Sequence, residues 1–152
     1  MEETGAQLLF NYIPKQVDEA GRLYDLCKPA TQKQIFFEIF GTSLRDFMAI
    51  TSYCDALIGN EGGAVNMAKA LEVPTFAIFS PQIKKQNWSI YENGTTNVSV
   101  HLSDFLPEEF EGLTVSEITK KAPEFYKLLS PNLIFAKLKA FLKTNSEIKT
   151  NL

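Results

Sequence analysis

The stretch Leu57-Ile58-Gly59-Asn60-Glu61-Gly62-Gly63-Ala64-Val65-Asn66-Met67-Ala68-Lys69-Ala70-Leu71 runs through Glu72 into Val73-Pro74-Thr75-Phe76-Ala77-Ile78-Phe79-Ser80-Pro81. It reads as a buried strand, a glycine turn, a helix and a second buried strand. A turn of this kind leaves backbone N–H groups free at a helix N-terminus, where a phosphate can sit.

The pattern extends outward on both sides. Residues 56–59 form a short strand. Residues 63–71 have helical spacing, with Val65, Met67, Ala68 and Leu71 turned inward. Residues 75–79 are continuously apolar, as a strand buried on both faces requires. Residues 97–102 make a further strand. Upstream, 7–13 and 34–40 read as the first two strands, ended by Pro14 and Gly41. Between them, Val17, Ala20, Leu23, Tyr24 and Cys27 share one helical face, which Lys28-Pro29 stops. Thr42-Ser43 offers an N-cap for a helix over 44–52, whose buried stripe is Leu44, Phe47, Met48 and Ile50 or Thr51.

Apolar strands alternating with short helices predict an α/β chain. Its sheet is Rossmann-like and mostly parallel, with helices on both faces and right-handed crossovers. The core spans 7–102 within one domain, 1–152. Residues 82–96 lack periodicity and read as a loop over the carboxyl edge of the sheet. Residues 103–145 form a helical extension, with Thr114 or Ser116 capping one helix and Pro131 opening a last one over 132–144. The lysines at 137, 139 and 143 form that helix's solvated face. Residues 146–152 read as a frayed tail.

Bulk composition narrows the function. The net charge of −3 lacks the basic excess that a phosphate backbone demands, so nucleic acid is not expected as a partner. A small phosphorylated ligand fits, because backbone dipoles hold it without net charge. The two cysteines, Cys27 and Cys54, read as buried free thiols of a reducing cytosol. No Cys/His spacing suggests zinc, and the single histidine, His101, has no evident partner. The apolar runs are too short to span a bilayer, and the acidic N-terminus has no signal-peptide pattern. The Asn-x-Ser/Thr sequences at Asn87, Asn93 and Asn97 read as chance in a chain without an export signal.

Ligands of open α/β sheets sit outside the carboxyl ends of the strands. Gly62 and Gly63 remove side chains where backbone approaches a ligand or takes positive φ. The N–H groups of Gly63, Ala64 and Val65, with the helix dipole behind them, suit a diphosphate. Asn60, Glu61 and Asn66 add side chains that can bond a ribose, a sugar or a phosphate oxygen. The Walker spacing and Gly-x-Gly-x-x-Gly are both absent, so a nicotinamide cofactor is unsupported. Tight packing of a helix on a sheet also accounts for a Gly-Gly turn. Glu61 repels a phosphate, and so reads as a helix cap, a hydroxyl ligand or a partner for lysine. Lys84 and Lys85 offer positive charge or are simply solvated. Trp88 stacks on a ring or packs on the sheet edge.

Gly41-Thr42-Ser43-Leu44, the run Cys54 to Leu71, Pro74 to Pro81 and Trp88, in this order and spacing, resemble glycosyltransferase family 9 over roughly residues 7–102. That family includes the lipopolysaccharide heptosyltransferases. The resemblance implies a GT-B architecture, in which this chain is most of the second, donor-binding domain. It implies inverting, metal-independent transfer of a sugar from a nucleotide-sugar donor, ADP-heptose in the heptosyltransferases. The acceptor is a saccharide or lipopolysaccharide core. The resemblance further implies a cytoplasmic setting at the inner face of the bacterial inner membrane, with peripheral membrane association of the full enzyme.

The family turn reads Asp-Thr-Gly with a His three residues after the Gly. Here Glu61, Gly62, Gly63 and Asn66 stand at those positions. The backbone cradle carries over, because it needs N–H groups; the His side-chain contact does not. The resemblance places the nucleoside near Phe40, Gly41, Thr42 and Leu44, with Asp18 or Glu19 as the ribose-binding carboxylate. The acceptor domain with the catalytic base, and the opening strand of this domain, have no counterpart here, so no residue is assigned as the base. The missing strand would leave a gap between 7–13 and 56–59. A longer parent chain, re-paired strands or a partner chain would fill it. Two other readings stay open: a non-catalytic nucleotide-binding module, and a remnant without a ligand.

Overall fold

The computed structural model describes residues 5–150, and side chains up to Asn145. Met1–Thr4, the acidic N-terminus noted above, and Asn151–Leu152 lie outside the described residues. The chain divides into two compact units, the first ending at Tyr53 and the second beginning at Cys54.

The second unit carries the sheet. Strands β1 (Leu57–Asn60), β2 (Thr75–Ile78) and β3 (Asn97–Val100) pair in parallel in the order β1-β2-β3. The register sets Ile58 beside Phe76 and Phe76 beside Val98. This is an α/β unit with an open, three-stranded parallel sheet and flanking helices. Strand β2 is central, and Thr75, Phe76 and Ala77 are all buried, which explains its unbroken apolar sequence. On one face, Val65 of the helix over Gly63–Ala70 packs with Ala77, Phe79, Leu57 and Ile83. On the other, Phe76, Ile78, Val98 and Val100 meet Ile134, Leu138, Phe141 and Leu142 of the last helix, Pro131–Thr150. Side chains alternate across the sheet, so β2 feeds both layers, through Ala77 on one face and Phe76 and Ile78 on the other. Among the described residues β1 pairs with β2 alone.

In the first unit the structure departs from the expected strands at 7–13 and 34–40. Their pairing shrinks to one parallel bridge between Leu8 and Ile35. Leu8 N–H donates to Gln34 O at 2.8 Å, and Phe36 N–H to Leu8 O at 2.8 Å. Beyond the bridge, aromatic packing takes over. Tyr12 stacks on Phe37 and Phe40 with centroids 5.1 and 4.7 Å apart, and its hydroxyl donates to Phe37 O. A turn in which Ile39 N–H donates to Phe36 O bends the second segment away from strand geometry.

The helices here are α1 (Val17–Asp25), α2 (Pro29–Gln32) and α3 (Leu44–Ser52). Of the expected cap Thr42-Ser43, Ser43 is the N-cap of α3, and the structure adds a reciprocal box with Asp46. The expected stripe is corrected at Leu44, which is exposed, and on α1 at Val17 and Leu23, also exposed. Ala20 and Thr51 are the buried positions of these two helices.

The remaining helices of the second unit are α4 (Gly63–Ala70), α5 (Val115–Leu128) and α6 (Pro131–Thr150). Thr114, rather than Ser116, caps α5, its box closed by Glu117. The tail expected over 146–152 is helical to Thr150, as part of α6. Among the described residues no helix is long and apolar enough to cross a membrane. Cys27 and Cys54 are in no disulfide and are half-buried rather than buried.

Candidate functional site

Gly59 and Asn60 end β1, and Glu61 and Gly62 turn the chain into α4. Gly62 has φ +148° and ψ −165°, backbone open essentially to glycine alone. It is the N-cap of α4, and no side chain caps the helix. The first helical bond runs from Asn66 N–H to Gly62 O at 3.2 Å. The N–H groups of Gly63, Ala64 and Val65 therefore have no intrahelical acceptor and make no other bond among the described residues. Gly62 and Gly63 are exposed. A Cβ on Gly63 would meet only Met67 Cε, at 3.9 Å, and one on Gly62 nothing within 4 Å. An uncapped helix start in open space favours an anion, through free donors and the helix dipole.

Glu61 takes none of those amides. Its Oε2 accepts from Ser80 N–H at 3.0 Å, and its own N–H donates to Ile78 O at 3.2 Å. The carboxylate thus ties the exit of β1 to the exit of β2. Ser80 is engaged again through its hydroxyl, which accepts from Tyr126 on α5 at 2.8 Å. Asn60 is exposed, and Ala64 and Asn66 are half-buried.

The other predicted residues fare differently. Lys84 is exposed. Lys85 is committed to structure: Nζ lies 2.9 Å from Asp104 Oδ2 and donates to Ser99 O at 3.1 Å. It thereby satisfies an outer carbonyl of edge strand β3. Trp88 is 57 % exposed. The loop carrying it, predicted irregular over 82–96, contains a single 3-10 turn, Lys85–Asn87. Asn93 Oδ1 accepts from the N–H groups of Thr95, Thr96 and Asn97 and pins the loop's return. Asn97 Nδ2 donates to Tyr91 O at 3.1 Å, and Asn93 Nδ2 to Thr96 Oγ1 at 2.7 Å.

Glu19 lies exposed on α1 beside Asp18, also exposed. Phe40 belongs to the first unit's aromatic cluster. Gly41 and Thr42 precede α3, and Leu44 opens it. At Gly41 a Cβ would lie 2.5 Å from Phe47 N, so close backbone approach explains this glycine. Thr42 donates to Asp46 at 2.9 Å and serves the cap. Hydrogen bonds with Ser43 and then with Thr42 hold the Asp46 carboxyl below its ordinary pKa.

His101 has partners that the sequence conceals. It is buried, its Nδ1 accepts from Ser103 N–H at 3.1 Å and lies 2.7 Å from Ser103 Oγ, and Nε2 faces Pro81 O at 3.3 Å. These bonds assign the proton to Nε2. Burial pushes its pKa below the ordinary value, against the pull of Pro81 O and Asp104. The local signal was the spacing to Asp104, an N-cap and its third helical residue. Ser80 and Tyr126 are 46 residues apart, and no sequence spacing links them. Among the described residues no three His, Cys, Asp or Glu side chains group as metal ligands.

Comparison with protein-family models, with curated proteins and with solved structures returns no match.

Proposed function

We propose that the glycine turn before α4 binds the diphosphate of a nucleotide-sugar donor. On this reading the chain is the donor-binding half of an inverting, family 9-like glycosyltransferase of lipopolysaccharide or cell-envelope glycan synthesis. The observation that carries it is the uncapped start of α4, opened by Gly62 at the carboxyl end of β1. Glu61, the residue least suited to a phosphate, is compatible because its carboxylate bonds Ser80 N–H.

In the reaction, a base in the acceptor-binding half deprotonates the acceptor hydroxyl, which displaces the nucleoside diphosphate at the anomeric carbon. The amides of Gly63, Ala64 and Val65 stabilise the charge gathering on the leaving diphosphate. Lys84, which is exposed, is the cation available to the diphosphate; Lys85 would first have to leave Asp104. No metal ion is required by this scheme. The acceptor is a saccharide, reached with the enzyme associated peripherally with the cytoplasmic membrane face.

Thermal-shift measurements against ADP-, UDP-, GDP- and CMP-sugars test the reading. At least one is expected to stabilise the protein, by an amount that grows with concentration. Gly63→Val has room beside Met67 but fills the space a phosphate needs, and should abolish that shift. Stabilisation by none of the four overturns the reading.

A further inference from the structure

The two edges of the sheet are finished differently. On β3 the chain itself meets the outward groups. Asn97 N–H donates to Asn93 Oδ1 at 3.0 Å, Asn97 O accepts from the N–H groups of Asn93 and Gly94 at 3.2 Å, and Ser99 O accepts from Lys85 Nζ at 3.1 Å. On β1, Leu57 N–H donates to Pro74 O and Glu61 N–H to Ile78 O, so Leu57, Gly59 and Glu61 spend their bonds on β2. Ile58 and Asn60 aim their N–H and C=O groups the other way, and among the described residues nothing bonds to them.

A bare edge is a template for another strand. Chains that stay single guard it with lysine, proline or a bulge, and β1, Leu-Ile-Gly-Asn, has none of these. Its ladder is instead self-complementary. A two-fold axis through Gly59 sets Ile58 of one copy opposite Asn60 of another, in antiparallel register. Each such pair exchanges both N–H···O bonds, so every outward group of the two strands is satisfied. The same axis sets Glu61 opposite Leu57 and Asp55 opposite Gly63, so no like charges face each other. Ile58, 42 % exposed in the single chain, would gain cover.

We propose that β1 is the contact of a homodimer: the β1 edges of two copies pair antiparallel about Gly59 and join the two three-stranded sheets into one. This pairing is independent of any ligand at the glycine turn.

Sedimentation velocity on the full chain tests it. The wild type is expected to double its mass between about 1 and 100 μM, the range of a small, reversible contact. Ile58→Pro removes only an outward N–H and should leave the chain monomeric at the highest concentration. Ile58→Lys, which guards the edge with charge, should do the same and decides the matter where proline unfolds the strand. Urea midpoints show which variants fold. Gly59→Cys has room, since its Cβ meets only Leu57 Cδ2 at 3.7 Å. On mild oxidation it should form a disulfide joining position 59 of the two copies, mapped by mass spectrometry. A wild type that is monomeric throughout overturns the proposal. So does a dimer that survives both substitutions at Ile58, or one in which Gly59→Cys stays unlinked.

Discussion

The two units use similar apolar sequence to different effect. In the second, Phe76, Val100 and Phe141 are buried between a sheet and a helix. In the first, Tyr12, Phe37 and Phe40 pack around a single bridge, and Leu23, Leu26 and Tyr53 remain 61, 83 and 90 % exposed. The difference teaches that an apolar strand becomes a strand only where a neighbour and two covering layers exist. Parallel strands need both, because their ladders are weaker per residue and both faces are apolar.

Substitutions can break this contrast. Phe76→Ala, in the central strand, should cost about 3–5 kcal/mol in urea denaturation, the loss typical of a buried phenylalanine. Leu26→Ala should change stability by less than about 0.5 kcal/mol, as for other exposed sites. Equal effects would dissolve the distinction between the units. Native-state hydrogen exchange sharpens it, with amides of 8–36 expected to exchange well before those of β2.

Gly41→Ala probes the first unit where it is tight. The new Cβ would press on Phe47 N, and the start of α3 must shift. A loss of about 1–3 kcal/mol is expected, measured by thermal denaturation. Gly63→Ala, in open space at the start of α4, should be neutral or slightly stabilising when no ligand is bound.

Acid separates the units by a third route. Burial lowers the pKa of His101 in the folded second unit, so the unfolded chain binds the proton more readily. Its contribution is fully present above about pH 6.5 and is lost as pH falls from there toward the folded-state value. The Asp46 carboxyl in the first unit is also held low, by hydrogen bonds to Ser43 and Thr42, and so acts in a more acidic window. Its contribution is present above about pH 3.9 and lost below. A melting-temperature profile from pH 7.5 to 5 should therefore decline in the wild type and flatten in His101→Asn. A small effect is also expected at Lys85→Met, measured by urea denaturation, where a partly exposed ion pair is worth under about 1 kcal/mol.

Much of the second unit was legible in the sequence. Thr75 to Phe79 is unbroken because β2 is central, and Gly62 marks a turn that a side chain would strain. Capping at Thr114 was visible because Glu117 follows at the reciprocal spacing. The first unit was less legible. The residues of 7–13 and 34–40 carry β-propensity, which measures fit to a pleated, half-buried surface. Only the Leu8–Ile35 bridge uses that fit; the aromatic rings contact one another instead. In the candidate site, the glycine turn was found from local spacing. The roles of Glu61 and Lys85 were not, since each depends on a partner 19 residues away.

By itself the sequence determined the elements whose causes are local. These are the helices with paired caps, the glycine that admits φ +148°, and the apolar run of β2. Capping, backbone sterics and side-chain periodicity act within a few residues, so they can be read in a line. Tertiary structure alone decided which strands paired and where polar side chains spent their bonds. It directed Glu61 to Ser80, Tyr126 to Ser80, and His101 toward Pro81. Such choices depend on which backbone groups remain unsatisfied once the sheet has closed on its neighbours, and that is a property of the assembled chain.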